Sequence, residues 1–338
     1  MNNFEGGTAD EVWRQAAQAV LSGDKARKQD SRDGSTIELL HSNLYVRNPR
    51  ARWVLSRHPG MNPAFAIAEV FWILSGRNDA KFVNFWNRDL AKYAGRTETY
   101  HGAYGYRIRK NFGMDQLQRA WTALRGKPAS RQVVIQIWDP RLDFPAEDGS
   151  EVSEDVPCNI CSMLKVRDDR LEWTQIMRSN DIFRGLPHNF IQFTMLQEIM
   201  AGWLGVEVGS YHHVSDSLHA YQIATSEFCI SPVHEEPINS DRLNLPKDSA
   251  DHVIKEVTAL LEELTTTELQ VERYKRICLD DKLPEGYRNL VLVAAAESAR
   301  RRHWIEEISY ATSRCTNPVL NVVSENWQNR WGYAKTVS

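Results

Sequence analysis

The chain holds no stretch of ~18 apolar residues, so no segment is expected to cross a membrane. Its first residues, MNNFEGGTADEVW, contain no basic run leading into an apolar core, which argues against a secretory leader. Cysteine is scarce. Five occur in 338 residues: Cys158, Cys161, Cys229, Cys278 and Cys315. An odd, sparse set is no disulfide framework, and the expected compartment is a reducing cytoplasm, of a cell or of a virus-infected host cell. An excess of one charge is missing too. Lys and Arg number 41 against 44 Asp and Glu, a net −3, which removes the electrostatic case for a nucleic-acid polymer as partner. No internal repeat or low-complexity segment occurs. With 42% hydrophobic and 25% charged residues, collagen-like, coiled-coil and wholly disordered chains are excluded. At ~150 residues per domain the length suits two domains, or one large domain with an extension.

What is present is patterned. Residues 9–22 place Val12, Ala16, Ala19 and Val20 at helical spacing, with Gly23 as the stop. Residues 24–36 read as an exposed polar loop. Residues 64–75 (AFAIAEVFWILS) are apolar nearly all round, which predicts a buried helix, and Glu69 is its one carboxylate. A surface helix follows at 114–124, then a β-branched strand at 131–138 and a flexible acidic loop at 147–155. Residues 162–167 and 171–177 flank Asp168, Asp169 and Arg170, and read as a hairpin. The spacing predicts a helix over 189–204 closed by Gly205. Beyond residue 221 the character changes, with helical patterns at about 250–264 and 287–309 and little evident chemistry.

Cys158 follows Pro157 and precedes a strand pattern. A nucleophilic cysteine needs access and a neighbouring cation, and taken alone most cysteines are small buried hydrophobes. Cys158-x-x-Cys161 also resembles half a zinc site or a redox pair. Zinc lacks suitably spaced further ligands, and a thioredoxin-like pair belongs at a helix N-terminus, whereas a strand follows here. The stretch 178–189 (RSNDIFRGLPHN) adds more. Arg178 and Ser179 offer an anion clamp and a hydroxyl at a strand end. Asn189 offers an amide that can read a donor–acceptor edge. In 217–221 (SLHAY), His219 and Tyr221 share one face if the segment is a strand.

These motifs resemble the thymidylate synthase family: Pro157-Cys158, then RSxDxxxGLPxN over 178–189, then HxY over 219–221, in the family's order, from about residue 10 to 221. The resemblance implies an α/β (α+β) fold with a large twisted, mostly antiparallel sheet, flanking helices and a C-terminal helical extension. It implies a catalytic domain over 1–230, an extension over 231–338 packed on it, and a homodimer. Cys158 matches the nucleophile that adds to C6 of a pyrimidine nucleotide. Arg32, Arg178 and Ser179 match the 5′-phosphate ligands, with Arg131 donated across the dimer interface. Asn189 matches the base reader, and His219 with Tyr221 the sugar ligands. Glu69 matches a carboxylate that organises water and proton transfer, and its apolar helix is expected to raise its pKa. Tyr104 matches a tyrosine near the C5 proton. Trp86 matches a ring beside the methylene intermediate, with core packing as the competing reading. Asp181 and Gly185 match positions on the side of the co-substrate, 5,10-methylenetetrahydrofolate. No metal is implied.

The sequence departs from the family pattern in places. Gln132 replaces a second partner-chain arginine, Asn159 the histidine after the cysteine, and Asp89 a second tryptophan. Arg184 and His188 stand at positions usually apolar, and the closing C-terminal tail is unrecognisable in 331–338. A wetter folate side favours capture of the C5 methylene by water over hydride, and ~1.4 kcal/mol of barrier is tenfold in rate. The expected activity is therefore C5 hydroxymethylation of dUMP. Reductive methylation to thymidylate, hydroxymethylation of dCMP or CMP, and a nucleotide-binding paralogue without turnover are the alternatives.

Overall fold

The structure is a computed structural model, and it describes residues 2–24, 26–31, 34–232 and 237–332. Among the described residues nine strands form two sheets: β1 (Asn2–Gly6), β2 (Arg27–Ser31), β3 (Gly34–Val46), β4 (Arg57–His58), β5 (Val134–Gln136), β6 (Asn159–Arg167), β7 (Arg170–Asp181), β8 (Glu207–Tyr221) and β9 (Cys229–Ile230). The large sheet runs β1-β3-β8-β7-β6-β5, with β2 also on β3, and β4 pairs β9 separately. Pairing is antiparallel except for β1 with β3 and β7 with β8. The parallel β7–β8 pair follows from the helix Leu186–Leu204 between them, which returns the chain to the same end of the sheet.

Local chemistry explains the main elements. Thr8 accepts from the Glu11 amide at 3.2 Å, the Glu11 side chain accepts from the Gly7 amide, and helix Ala9–Ser22 ends at Gly23 with φ 73°. The predicted hairpin is the β6–β7 turn, where Asp168 and Asp169 both take positive φ, as a two-residue hairpin turn requires. In helix Pro63–Leu74 every residue is buried except Glu69. The cause is its place between helix Leu186–Leu204 on one side and helices Lys247–Glu263 and Glu285–Arg301 on the other. Order outward from the sheet is therefore the 186–204 layer, the 63–74 helix, and the C-terminal helices.

Three sequence expectations change. Residues 24–36, expected as an exposed polar loop, hold β2 and the start of β3, whose backbones pair antiparallel from Arg27 with Glu38 to Ser31 with Gly34 while the β2 side chains stay exposed and carry no strand pattern. The strand over 131–138 shrinks to Val134–Gln136, because Ile137 and Trp138 both donate to the Ile160 carbonyl and Asp139 caps a short helix opened by Pro140. The helix over 287–309 divides into Glu285–Arg301 and Ile305–Thr312, with His303 turning the chain at φ 60°.

The C-terminal layer is tied in by specific contacts. Glu198, buried, pairs with Arg52 and accepts from the Leu243 amide at 3.0 Å, while the Tyr287 hydroxyl donates to the Leu243 carbonyl at 2.7 Å. Gly202 lies so close to the next segment that an added Cβ would stand 2.4 Å from the Asn244 carbonyl carbon. Gly202→Ala is accordingly expected to cost about 1–3 kcal/mol through overpacking. A lowered urea midpoint at unchanged slope checks it, and an unchanged midpoint refutes it.

Candidate active site

The N-terminal end of β6 and the C-terminal ends of β7 and β8 meet at one end of the sheet, and most of the expected residues gather there. Cys158 is a half-buried thiol immediately before β6. Its carbonyl accepts the Arg178 amide at 2.9 Å. The exposed Arg178 guanidinium donates to the carbonyls of Pro157 and Val156, each at 3.0 Å. Arg178 thus braces the loop that presents the thiol as well as holding positive charge beside it. Ser179 lies opposite Ser217, and Asp181 opposite His219, in the parallel β7–β8 register. His219 and Tyr221 share a face, with ring centroids 5.4 Å apart.

Glu69 enters the site from the buried helix. Its carboxylate accepts from Gln192 Nε2 at 2.5 Å. Burial raises its carboxyl to about 7, with the Gln192 bond opposing. Tyr104 lies beside Cys158, Asn159 and Glu69; burial first, and the neighbouring Cys158 second, lift its hydroxyl well above the ordinary range. Asp155, which accepts the Gly102 amide at 2.7 Å, is lifted by burial to about 6. Asn189, 5% exposed, sits in the first turn of helix Leu186–Leu204.

The segment 181–188 sets Asp181, Arg184 and His188 among the buried apolar Ile182, Phe183 and Leu186. Asp181 Oδ1 accepts the amides of Phe183 and Arg184, each at 2.7 Å, while Oδ2 is buried without a hydrogen-bond partner among the described residues. Gly185 is required by close approach, since a Cβ there would meet Asn180 Oδ1 at 2.8 Å. His188 Nδ1 meets the Arg184 carbonyl at 2.8 Å; Nε2 is buried and likewise unpartnered among the described residues, and burial lowers the ring to about 4, so it is neutral. Arg57 is buried over Phe228, and burial, partly offset by Asp181, lowers its pKa to about 9. Arg184 pairs with Glu227 at 2.8 Å.

The other expected residues make none of these contacts. Trp86 is 0% exposed among Phe82 and Phe85, and its carbonyl accepts from Asn62 and Arg301, which is the packing its competing reading describes. Arg131 and Gln132 are exposed at the start of the sheet edge. Asp89 is exposed in a short turn. Arg32 and residues 333–338 fall outside the described residues.

Sequence reasoning missed the polar side chains beneath the site: Ser162, Gln175, Asn180, Gln192, His213 and Ser215, all buried. For all but Gln192, which lies on a helix, the available signal was polar residues at inward positions of strands, sharing that face with apolar ones such as Trp173, Met177 and Tyr211.

Because folding raises the Glu69 carboxyl from 4.5 to about 7, the folded chain holds a proton there that the unfolded chain has released. The resulting destabilisation is absent below about pH 4.5, grows toward about pH 7 and is complete above it. Glu69→Gln is therefore expected to exceed the parent by about 2–3 kcal/mol at about pH 8, with the gap closing at about pH 4.5. Urea unfolding of both proteins across that range checks the sign, and a gap independent of pH refutes it.

A family model described as thymidylate synthase matches residues 12–278, past the 221 at which the sequence motifs end. A deoxyuridylate hydroxymethyltransferase of Bacillus phage SP01 is 35% identical over 189 residues, 53% of this chain and 48% of that protein. One of Pseudomonas phage M6 is 34% identical over 199 residues, 58% of this chain and 55% of its own. A putative thymidylate synthase of Methanothermobacter marburgensis is 30% identical over 223 residues, 64% of this chain and 92% of its own. The chain thus spans about half the length of the two phage proteins.

Proposed function

The chain belongs to the thymidylate synthase family, and from that premise we propose that it is a one-carbon transferase converting dUMP to 5-hydroxymethyl-dUMP. The observation that carries the choice of product is the polar set Asp181, Arg184 and His188 beside Arg57, where a methylating site needs water kept out. The names of the two phage relatives point the same way.

Each residue has a part in this reading. Cys158 Sγ adds to C6 and makes C5 nucleophilic. Arg178, Ser179 and Arg32 hold the phosphate, Asn189 reads the base edge, and His219 with Tyr221 holds the sugar. Tyr104, whose hydroxyl keeps its own proton, donates a hydrogen bond to the water that takes the C5 proton. Glu69, at about 7, carries or releases a proton near neutral pH and orients the water that ends on the methylene carbon. The buried, unpartnered Asp181 Oδ2 and His188 Nε2 are both acceptors and suit a folate's N–H donors, with Gly185 giving room. 5,10-Methylenetetrahydrofolate supplies the one-carbon unit at the oxidation level of formaldehyde. Trp86 lines that side from the core.

Two copies pair through the sheet face turned away from the helices, where Met163, Thr174, Ile176 and Val214 are half-buried neighbours. The exposed Arg131 of each then reaches the other's phosphate site. Residues 1–230 carry the chemistry, and 231–338 form the helical layer packed on it.

A second reading, thymidylate synthase, is favoured by the archaeal relative, 92% of whose length is matched. Incubation with dUMP and methylenetetrahydrofolate decides between them. Hydroxymethyl-dUMP with tetrahydrofolate is the expected pair, and thymidylate with dihydrofolate establishes the second reading. Cys158→Ala is expected to abolish release of tritium from [5-³H]dUMP, and persistent release refutes its role.

A further inference from the structure

Beneath Asn189 runs a line of buried hydrogen bonds. Trp173 Nε1 and Ser162 Oγ donate to Gln175 Oε1 at 3.3 and 2.6 Å. Gln175 Nε2 donates to Asn159 Oδ1 at 2.8 Å, and Asn159 Nδ2 to Asn189 Oδ1 at 3.3 Å. Asn189 Nδ2 then donates to Asn180 Oδ1 at 3.2 Å, and Asn180 Nδ2 meets His213 Nε2 at 3.0 Å and Ser215 Oγ at 3.2 Å. His213 Nδ1 meets the Tyr211 hydroxyl at 2.9 Å. Every one of these side chains is buried, Asn189 being the most exposed at 5%.

A primary amide has two orientations, and in such a line rotating one forces the next. Two facing amino groups, or two facing carbonyls, forfeit a buried hydrogen bond and leave both groups unsatisfied. The line therefore has two whole states of opposite direction. Most groups at its ends tolerate either state: the hydroxyls of Ser162, Ser215 and Tyr211 donate or accept, and a neutral imidazole has two tautomers. His213 is kept neutral by burial, which lowers it to about 3. Trp173 differs, because an indole N–H only donates. It demands an oxygen at Gln175, and that demand passes through Asn159 to Asn189.

We propose that Trp173 is a specificity-determining positioning residue: its indole N–H sets the direction of the amide line, and so decides which base edge Asn189 accepts. The inference rests on the reading of Asn189 as base reader given above. Uracil presents an N3–H donor beside the O4 acceptor, and cytosine presents the reverse order. One direction of the line suits one base and the opposite direction the other. The residue that chooses between them never touches the nucleotide.

Trp173→Phe keeps an apolar ring and removes the donor. Calorimetric binding of dUMP and dCMP to the full chain is the readout, and the parent is expected to favour dUMP. In Trp173→Phe the ratio of the two affinities is expected to fall at least tenfold, and an unchanged ratio overturns the inference. Adding Asn180→Asp places an acceptor at the far end of the line, facing the Asn189 amino group, and is expected to restore the ratio. A merely structural role for Trp173 admits no such rescue, so failure of the rescue overturns the inference too. Should the phenyl variant not fold, benzothienylalanine at position 173 keeps the bicycle and exchanges only the N–H for sulfur. A ligand-free measure separates the line from the base reading. By ¹⁵N resonance His213 is expected as the Nδ1–H tautomer in the parent and as both tautomers in Trp173→Phe. A tautomer unaffected by the substitution overturns the line itself. The expected tautomer change in a protein whose parent binds neither nucleotide overturns the base reading while upholding the line.

Discussion

One carboxylate in a helix otherwise closed to water, Glu69 within Pro63–Leu74, is the constraint from which much of the architecture follows. A helix apolar on all sides is stable only when covered on all sides. The 186–204 helix covers one flank, and the helices of the last third of the chain cover the other. That enclosure removes water from around the carboxyl and brings its pKa to the range where a proton can be both held and released. Burial and site chemistry are thus the same fact at this position. The last third, which carries no motif of its own, contributes by being in the way of solvent.

The sheet makes the complementary contribution. The tight β6–β7 turn at Asp168 and Asp169 fixes an antiparallel register that sets Cys158 beside Arg178. The crossover through 186–204 fixes a parallel register that sets Ser179 and Asp181 beside Ser217 and His219. The same crossover helix carries Asn189 in its first turn and Gln192 one turn on. Two connections, one short and one regular, therefore place the thiol, the cation, the amide and the carboxylate's partner at one end of the sheet. The 181–188 segment, with Asp181, Arg184 and His188, follows directly from the end of β7.

Elements governed by neighbours in sequence were legible. Helix 9–22 has the bounds its spacing predicts, Gly23 and Gly205 end their helices in the left-handed region, and the Asp168–Asp169 turn joins the expected hairpin. Glu69 was legible because an apolar helix dictates its own dielectric. What escaped depends on partners far away in the chain. The edge strand over 131–138 loses its C-terminal end to a shared carbonyl on Ile160, which no local pattern encodes. The buried line from Gln175 to His213 joins three strands and one helix, and each member looks like a lone polar residue in its own strand or turn. The family match beyond 221 was hidden for the opposite reason: amphipathic helices share their spacing with helices in unrelated proteins.

The sandwiched 63–74 helix also has a consequence in time. During synthesis it leaves the ribosome early, and its outer cover, the 247–263 and 285–301 helices, begins to leave more than 170 residues later. Throughout that interval Phe71, Trp72 and their neighbours have no native shelter on the outer side. Exposed apolar surface on a growing chain is where aggregation begins and where chaperones act. The feature that gives the finished protein a dry carboxylate thus gives the unfinished one its most vulnerable period.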